Sequence, residues 1–260
     1  MERLFGICDL ALVPLRAQSS DRSEMVSQLL FGDTFEIIQQ VEKWIFIRTA
    51  YDNYEGWIDY LQHKLISQTD FDSLQGNPYL IDLSNNSAAI KPNKEAVYLV
   101  PGSSIPFYEE GWFHINDISY TIANVVDASY SRNFKSGIES AARFYLNAPY
   151  LWGGKSPYGI DCSGFTQIVF KQFHIPILRD ASEQALQGEQ VSSLNEAQSG
   201  DLAFFNNAEG RVTHVGILLS KNQIIHASGF VKINSIDNEG IYNADLGKYT
   251  HQLSSIRRFI

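Results

Sequence analysis

The stretch GIDCSGF, residues 159–165, sets Cys162 behind Asp161 and ahead of Ser163 and Gly164. From Cys162 onward, CSGFTQIVFKQFH repeats its apolar residues at helical spacing and stops at Ile175-Pro176. On the N-terminal side, APYLWGGKSPYGID is a glycine-rich loop. Cys162 therefore falls where a loop becomes a helix, with Asp161 near the N-cap. Unpaired N–H groups at a helix start stabilise negative charge, and the thiolate is the reactive form of cysteine. The same N–H groups suit an oxyanion on an attacked carbonyl. A buried structural cysteine fits this position as well.

Two histidines bear on that choice. His214 opens the strand-like run HVGILL, and His226 lies in the next one, IIHAS. Side chains alternate along a strand, so His214 shares a face with Gly216 and Leu218. A two-residue turn at Lys221-Asn222 pairs Ile217 with His226 and sends the histidines to opposite faces. A turn centred on Ser220 or Lys221 puts them on one face, and with Lys221 as the centre His226 stands opposite Gly216, which leaves space for an imidazole to lean across. The same-face register is expected, giving Cys162 as nucleophile, His214 as base and His226 as orienting group. Zinc is the weaker alternative, because no fourth ligand accompanies the three. His63, His114, His174 and His251 lack comparable company and are read as surface or structural residues. Cys8, in the apolar run LFGICDLALV, is read as a small buried hydrophobe.

Around this centre the chain changes texture. SGIESAARFYLN before the loop has helical spacing, and RDASEQALQG suits a short helix. DLAFFN, HVGILLS, QIIHAS and SSIRRFI then read as strands. Helices followed by an antiparallel sheet make an α+β plan over residues 134–260. Residues 1–68 show short strand-like runs (ICDLALVPL, SQLLFG, FEIIQQV, WIFIRTA, GWIDY) broken by Asp, Gly and Asn, and predict a small β-barrel. Residues 69–133 repeat the idea more loosely through AVYLVPGSSIPFY, GWFHIND and YTIANVV, with Trp57 and Trp112 each following a glycine.

The net charge of −9 argues against a nucleic-acid partner, which needs clustered Lys and Arg. No stretch approaches the roughly 18 apolar residues of a membrane span, so no membrane partner is expected. The N-terminus lacks a basic segment followed by a long apolar run, so no signal peptide is read and a cytoplasmic monomer is expected. Neither a metal nor another cofactor is called for.

PYLWGGKSPYGIDCSGF, RDASEQ, SGDLAFF, THVGILL and IIHAS, in that order, closely resemble the NlpC-type, papain-like cell-wall cysteine peptidases over about residues 135–260. Gly56-Trp57-Ile58 with Asp59 and Tyr60, and the Gly32-Asp33 turn, resemble bacterial SH3-like domains. Together they imply a papain-like catalytic domain behind two small SH3-like barrels. The resemblance further implies the γ-D-glutamyl-L-diamino-acid endopeptidase branch, acting on peptidoglycan stem peptides. On that basis Tyr150 assists at the oxyanion, and Asp161, Ser163 and Trp152 line the cleft. Asp180 binds the ammonium of a free N-terminal L-Ala, Ser182 stands nearby, and Glu24 and Tyr60 close one cleft end from the first barrel. Asp180 read from position alone is equally a helix N-cap. Relatives often carry serine directly after this aspartate, whereas this chain has Ala181, which puts one substrate hydrogen bond in doubt.

Four functions remain in view: a peptidase recycling free muropeptides, an exported hydrolase acting on polymeric wall, a wall-binding module without catalysis, and, weakened by the lack of a membrane-anchoring segment, acyl transfer on lipids by a related papain-like fold.

Overall fold

The computed structural model describes residues 3–75, 79–80, 87–123 and 133–260. These fall into two compact units, Met1–Tyr130 and Ser131–Ile260.

In the first unit, seven strands from Leu4–Ile7 to Lys64–Ile66 form one antiparallel sheet. The run expected as a single strand over residues 7–15 divides into Leu4–Ile7 and Leu12–Arg16, with a non-extended link at Cys8–Ala11. Alternating residues of these strands, among them Val13, Leu15, Ile45, Ile47 and Ile58, build an apolar core that also takes up Cys8. Cys8 is fully buried and unoxidised. A second sheet joins Ala96–Tyr98, Ala88–Ile90, Ile118–Ala123 and Trp112–Ile115. Its core contains Phe113, Ile115 and Tyr120 together with Ile7 of the first sheet and Phe31, which directly follows the strand Met25–Leu30. A backbone bond from Ser104 N–H to the Phe31 carbonyl (2.8 Å) ties the segment before the second sheet's last strands to the turn after Met25–Leu30. The last expected strand, YTIANVV, is seen as far as Ala123, and its end lies outside the described residues.

The second unit is α+β. Its elements, numbered from its own start, are α1 (Phe134–Arg143), α2 (Cys162–Lys171) and α3 (Ala181–Gln184). The sheet strands are β1 (Glu189–Gln190), β2 (Leu202–Asn206), β3 (Val212–Ser220), β4 (Gln223–Ser228), β5 (Phe230–Ile236), β6 (Gly240–Asn243) and β7 (Lys248–Arg258). β2 to β7 follow one another as antiparallel neighbours, and the eleven-residue β7 pairs with both β6 and β2, so the sheet closes on itself. Apolar patterning marks no strands at β5 and β6 and places the start of β7 only at Ser254. Bulges in β7 opposite Phe204/Phe205 and Ile241/Tyr242 let one strand serve both partners.

Ala203, Phe205, Leu218, Ile224, Ile236, Ile241 and Ile256 come from six strands yet form a single cluster. That cluster is the inside of the closed sheet. By alternation His214, His226, Asn234 and His251 lie on the same face, so polar rings continue the apolar filling. On the other face Val215, Ile217, Ile225 and Ala227 are fully buried, and α2 packs against β3 and β4.

Candidate active site

Cys162 is the first residue of α2, and Asp161 caps that helix by accepting from the Gly164 N–H at 2.6 Å. This geometry accounts for the GIDCSGF pattern. A Cβ at Gly164 would stand 2.3 Å from the Gly154 carbonyl oxygen, so only glycine lets the preceding loop pass so close to the helix start. Asp161 does more than cap. Its oxygens also accept from the Gly153 N–H (2.8 Å) and from Arg179, at 2.6 and 3.1 Å. Expected along the cleft, Asp161 is a buried brace whose oxygens are engaged by protein donors. Arg179, which sequence reasoning passes over, is 1% exposed and also donates to the Ser163 hydroxyl at 2.8 Å. Gln184 ties α3 to α2 by accepting from the Thr166 hydroxyl (2.8 Å) and donating to the Ser163 carbonyl (3.1 Å).

The Cys162 sulfur accepts from the N–H groups of Val215 and Ser163. Val215 adjoins His214, so the thiol lies beside the histidine strand. Burial pushes the thiol up to about 12, reinforced by the Asp161 carboxylate and only partly offset by those N–H groups and Arg179. Burial also holds His214 well below the usual histidine value, and the neighbouring histidines and Lys232 add to this. Both shifts favour an uncharged thiol and an uncharged imidazole at rest.

The histidines do share a face. Ile217 pairs with Ile225, which sets His226 opposite Gly216. The turn is nonetheless the two-residue one, at Lys221-Asn222, between paired Ser220 and Gln223. A bulge between Leu218 and Ser220 supplies the one-residue shift that reconciles turn and register. A Cβ at residue 216 would stand 2.8 Å from that of His226, so glycine is what admits the ring.

His214 Nε2 lies 2.8 Å from His226 Nδ1, and His226 Nε2 lies 2.9 Å from Asn234 Oδ1. An amide oxygen only accepts, so His226 carries its proton on Nε2. Its Nδ1 then accepts, and His214 must donate from Nε2. The remaining nitrogen of His214, Nδ1, is left unprotonated and able to take a proton. Asn234, in the unpredicted strand β5, fixes the tautomer of both rings.

His251 corrects the sequence reading. It stacks on His214 with ring centroids 4.1 Å apart and planes inclined by 27°, so it belongs to the cluster. Its strand is expected from the sequence to begin three residues further on, which hides its place.

Among the other expected residues, Tyr150 lies close enough to Cys162 and Asp161 for their charges, after burial, to raise its phenol. Trp152 is 60% exposed on the loop before α2. Asp180 occupies the N-cap position of α3, but its side chain makes no capping hydrogen bond. Ser182 lines a groove of about 520 Å³ that runs past Leu186 and Arg211 to Thr213, next to His214. Glu24 and Tyr60 belong to the first unit. There Glu24 precedes the strand Met25–Leu30, and Tyr60 begins an exposed 3₁₀ turn. Among the described residues no group of three or more His, Cys, Asp or Glu is arranged to hold a metal ion.

Residues 147–249 match the NlpC/P60 family model, and residues 15–60 match the bacterial dipeptidyl-peptidase SH3 domain. The chain thus carries an NlpC/P60 domain, with a bacterial SH3-like domain ahead of it in the sequence. It is 28% identical to dipeptidyl-peptidase 6 of Lysinibacillus sphaericus, over 93% of this chain and 96% of that protein. It is 27% identical to the gamma-D-glutamyl-L-lysine dipeptidyl-peptidase of Bacillus subtilis, over 77% of this chain and 71% of that one. The crystal structure of an NlpC/P60 family protein from Bacillus cereus shares the fold across 98% of this chain and 99% of its own, with a TM-score of 0.79 at 17% identity.

Proposed function

We propose that this chain is a cysteine endopeptidase that cuts the γ-D-glutamyl–diamino-acid bond of short peptidoglycan stem peptides bearing a free N-terminal L-alanine. The observation that carries the chemistry is the Asn234–His226–His214 relay, which leaves an unprotonated nitrogen on His214, on the strand whose Val215 N–H meets Cys162. His214 Nδ1 takes the thiol proton as sulfur attacks the scissile carbonyl. The oxyanion rests on N–H groups at the start of α2 and on the Tyr150 hydroxyl, which burial keeps protonated. The imidazolium returns its proton to the departing amine, leaving an acyl-enzyme. Water, deprotonated by His214, then releases the acyl group and regenerates the thiol.

The names of the relatives support the choice of bond. Asp180 sits at the head of α3, where a carboxylate can meet a substrate ammonium, and Ser182 stands on the same helix in the groove.

The test is a paired mass-spectrometric assay with free L-Ala-γ-D-Glu-diaminopimelate and its N-acetylated form, using Cys162→Ala as control. Cleavage of the free peptide alone is expected. Equal cleavage of both would remove the amine pocket from the proposal, and no cleavage of either would remove the activity.

A further inference from the structure

The relay leaves one freedom of His214 unaccounted for. A ring held through a single hydrogen bond at Nε2 can still tilt about that bond and carry Nδ1 away from the thiol. Two aromatic neighbours oppose the tilt. His251 lies face to face with it at 4.1 Å, and Phe205 is inclined by 46° at 5.7 Å. His226 meets it edge-on, at 84°. His251 is delivered there by the bulged strand β7, opposite Ile241, and its Nδ1 lies 2.9 Å from the Thr250 hydroxyl oxygen.

We propose that His251 is a positioning residue for His214, backing its ring so that Nδ1 stays directed at Cys162, and that its own capacity for charge keeps His214 unprotonated. This rests on reading His214 as the base. Lys232 acts on all three rings, so the charged or titratable groups around His251 are His214, His226 and Lys232. A proton arriving on His251 faces a second imidazole at stacking distance, and like charges there oppose each other. Protonation of one ring thus disfavours protonation of the other. The site keeps its base available at pH values where an isolated histidine would be charged.

The test compares His251→Ala and His251→Phe with the native chain. Alkylation of Cys162 by iodoacetamide at neutral pH, with peptide mass mapping so that Cys8 is not counted, reads the ability of His214 to accept the proton. Ring titration of His214 by NMR reads its proton affinity. The alanine variant is expected to react at least fivefold more slowly, and the phenylalanine variant within about twofold of native, because a flat ring still backs His214. In the phenylalanine variant the His214 midpoint should rise, since its titrating neighbour has gone. Native reactivity in a folded alanine variant would overturn the positioning role, as would equal loss in both variants. An unmoved His214 midpoint would overturn the electrostatic part, and this readout serves if the alanine variant fails to fold. Neither readout uses a peptide, so failure of the substrate assignment leaves both intact.

Discussion

Arg179 Nη2 lies 2.6 Å from Asp161 Oδ2, with both side chains almost wholly buried beneath the start of the helix that carries Cys162. The pair connects RDASEQ to GIDCSGF across 18 residues of chain, and through the Asp161 cap it sets where the helix that carries Cys162 begins. Removing one member leaves the other charged and out of water. Arg179→Met is expected to cost about 3–5 kcal/mol in urea unfolding, with the double variant Asp161→Asn/Arg179→Met recovering part of it. A loss below about 1 kcal/mol would show that the pair is not structural.

The Cys162–His214 pair is expected to be neutral at rest. Burial raises the thiol to about 12 and lowers the imidazole, so no proton passes between them before a carbonyl arrives. Ultraviolet thiolate absorbance, native minus Cys162→Ala, should show no step between about pH 5 and about pH 8. A step with its midpoint in that window would establish a preformed ion pair instead.

Asn234 acts through two rings. Its removal frees His226 to adopt either tautomer, and half of those arrangements deny His214 its acceptor. Asn234→Ala should lower kcat about tenfold with KM within about twofold, corresponding to the loss of one buried hydrogen bond. Asn234→Asp, which still accepts from His226 Nε2, should restore most of the rate at neutral pH. Equal loss in both variants would refute the tautomer argument.

Stability should fall on the acid side. Burial lowers His226 to about 4 in the folded chain, against 6.5 as its ordinary value. Between these values the unfolded chain binds a proton that the native one refuses. The contribution is therefore complete above pH 6.5 and is lost as pH drops towards 4, at about 3 kcal/mol for His226 alone. His214 acts in the same direction. Urea midpoints at about pH 7.5 and about pH 5 check this, and an unchanged midpoint would contradict it.

Much of the second unit is legible in the sequence. Cys162 at a loop–helix junction, the apolar spacing of α2 and the shared face of His214 and His226 all rest on residue type and periodicity. The elements that escape do so for physical reasons. β5 and β6 are short and half polar, so FVKINSI and GIYN do not stand out from loops, and Asn234 goes with them. β7 begins in KYTHQ, whose extended form depends on pairing with β6 rather than on its own apolar pattern, and His251 is lost with it. Arg179 is passed over because an arginine is ordinarily read as surface, whereas its burial depends on Asp161, which is remote in sequence.

Hairpin tips are where chains ordinarily gain and lose residues without consequence. The tip at Lys221-Asn222 is exposed, yet the extra residue at Leu219 decides which side of the sheet His226 occupies. An insertion or deletion of one residue there would leave Cys162 and His214 in place and would still turn His226 away from His214. In this fold the length of a surface hairpin decides which buried rings meet.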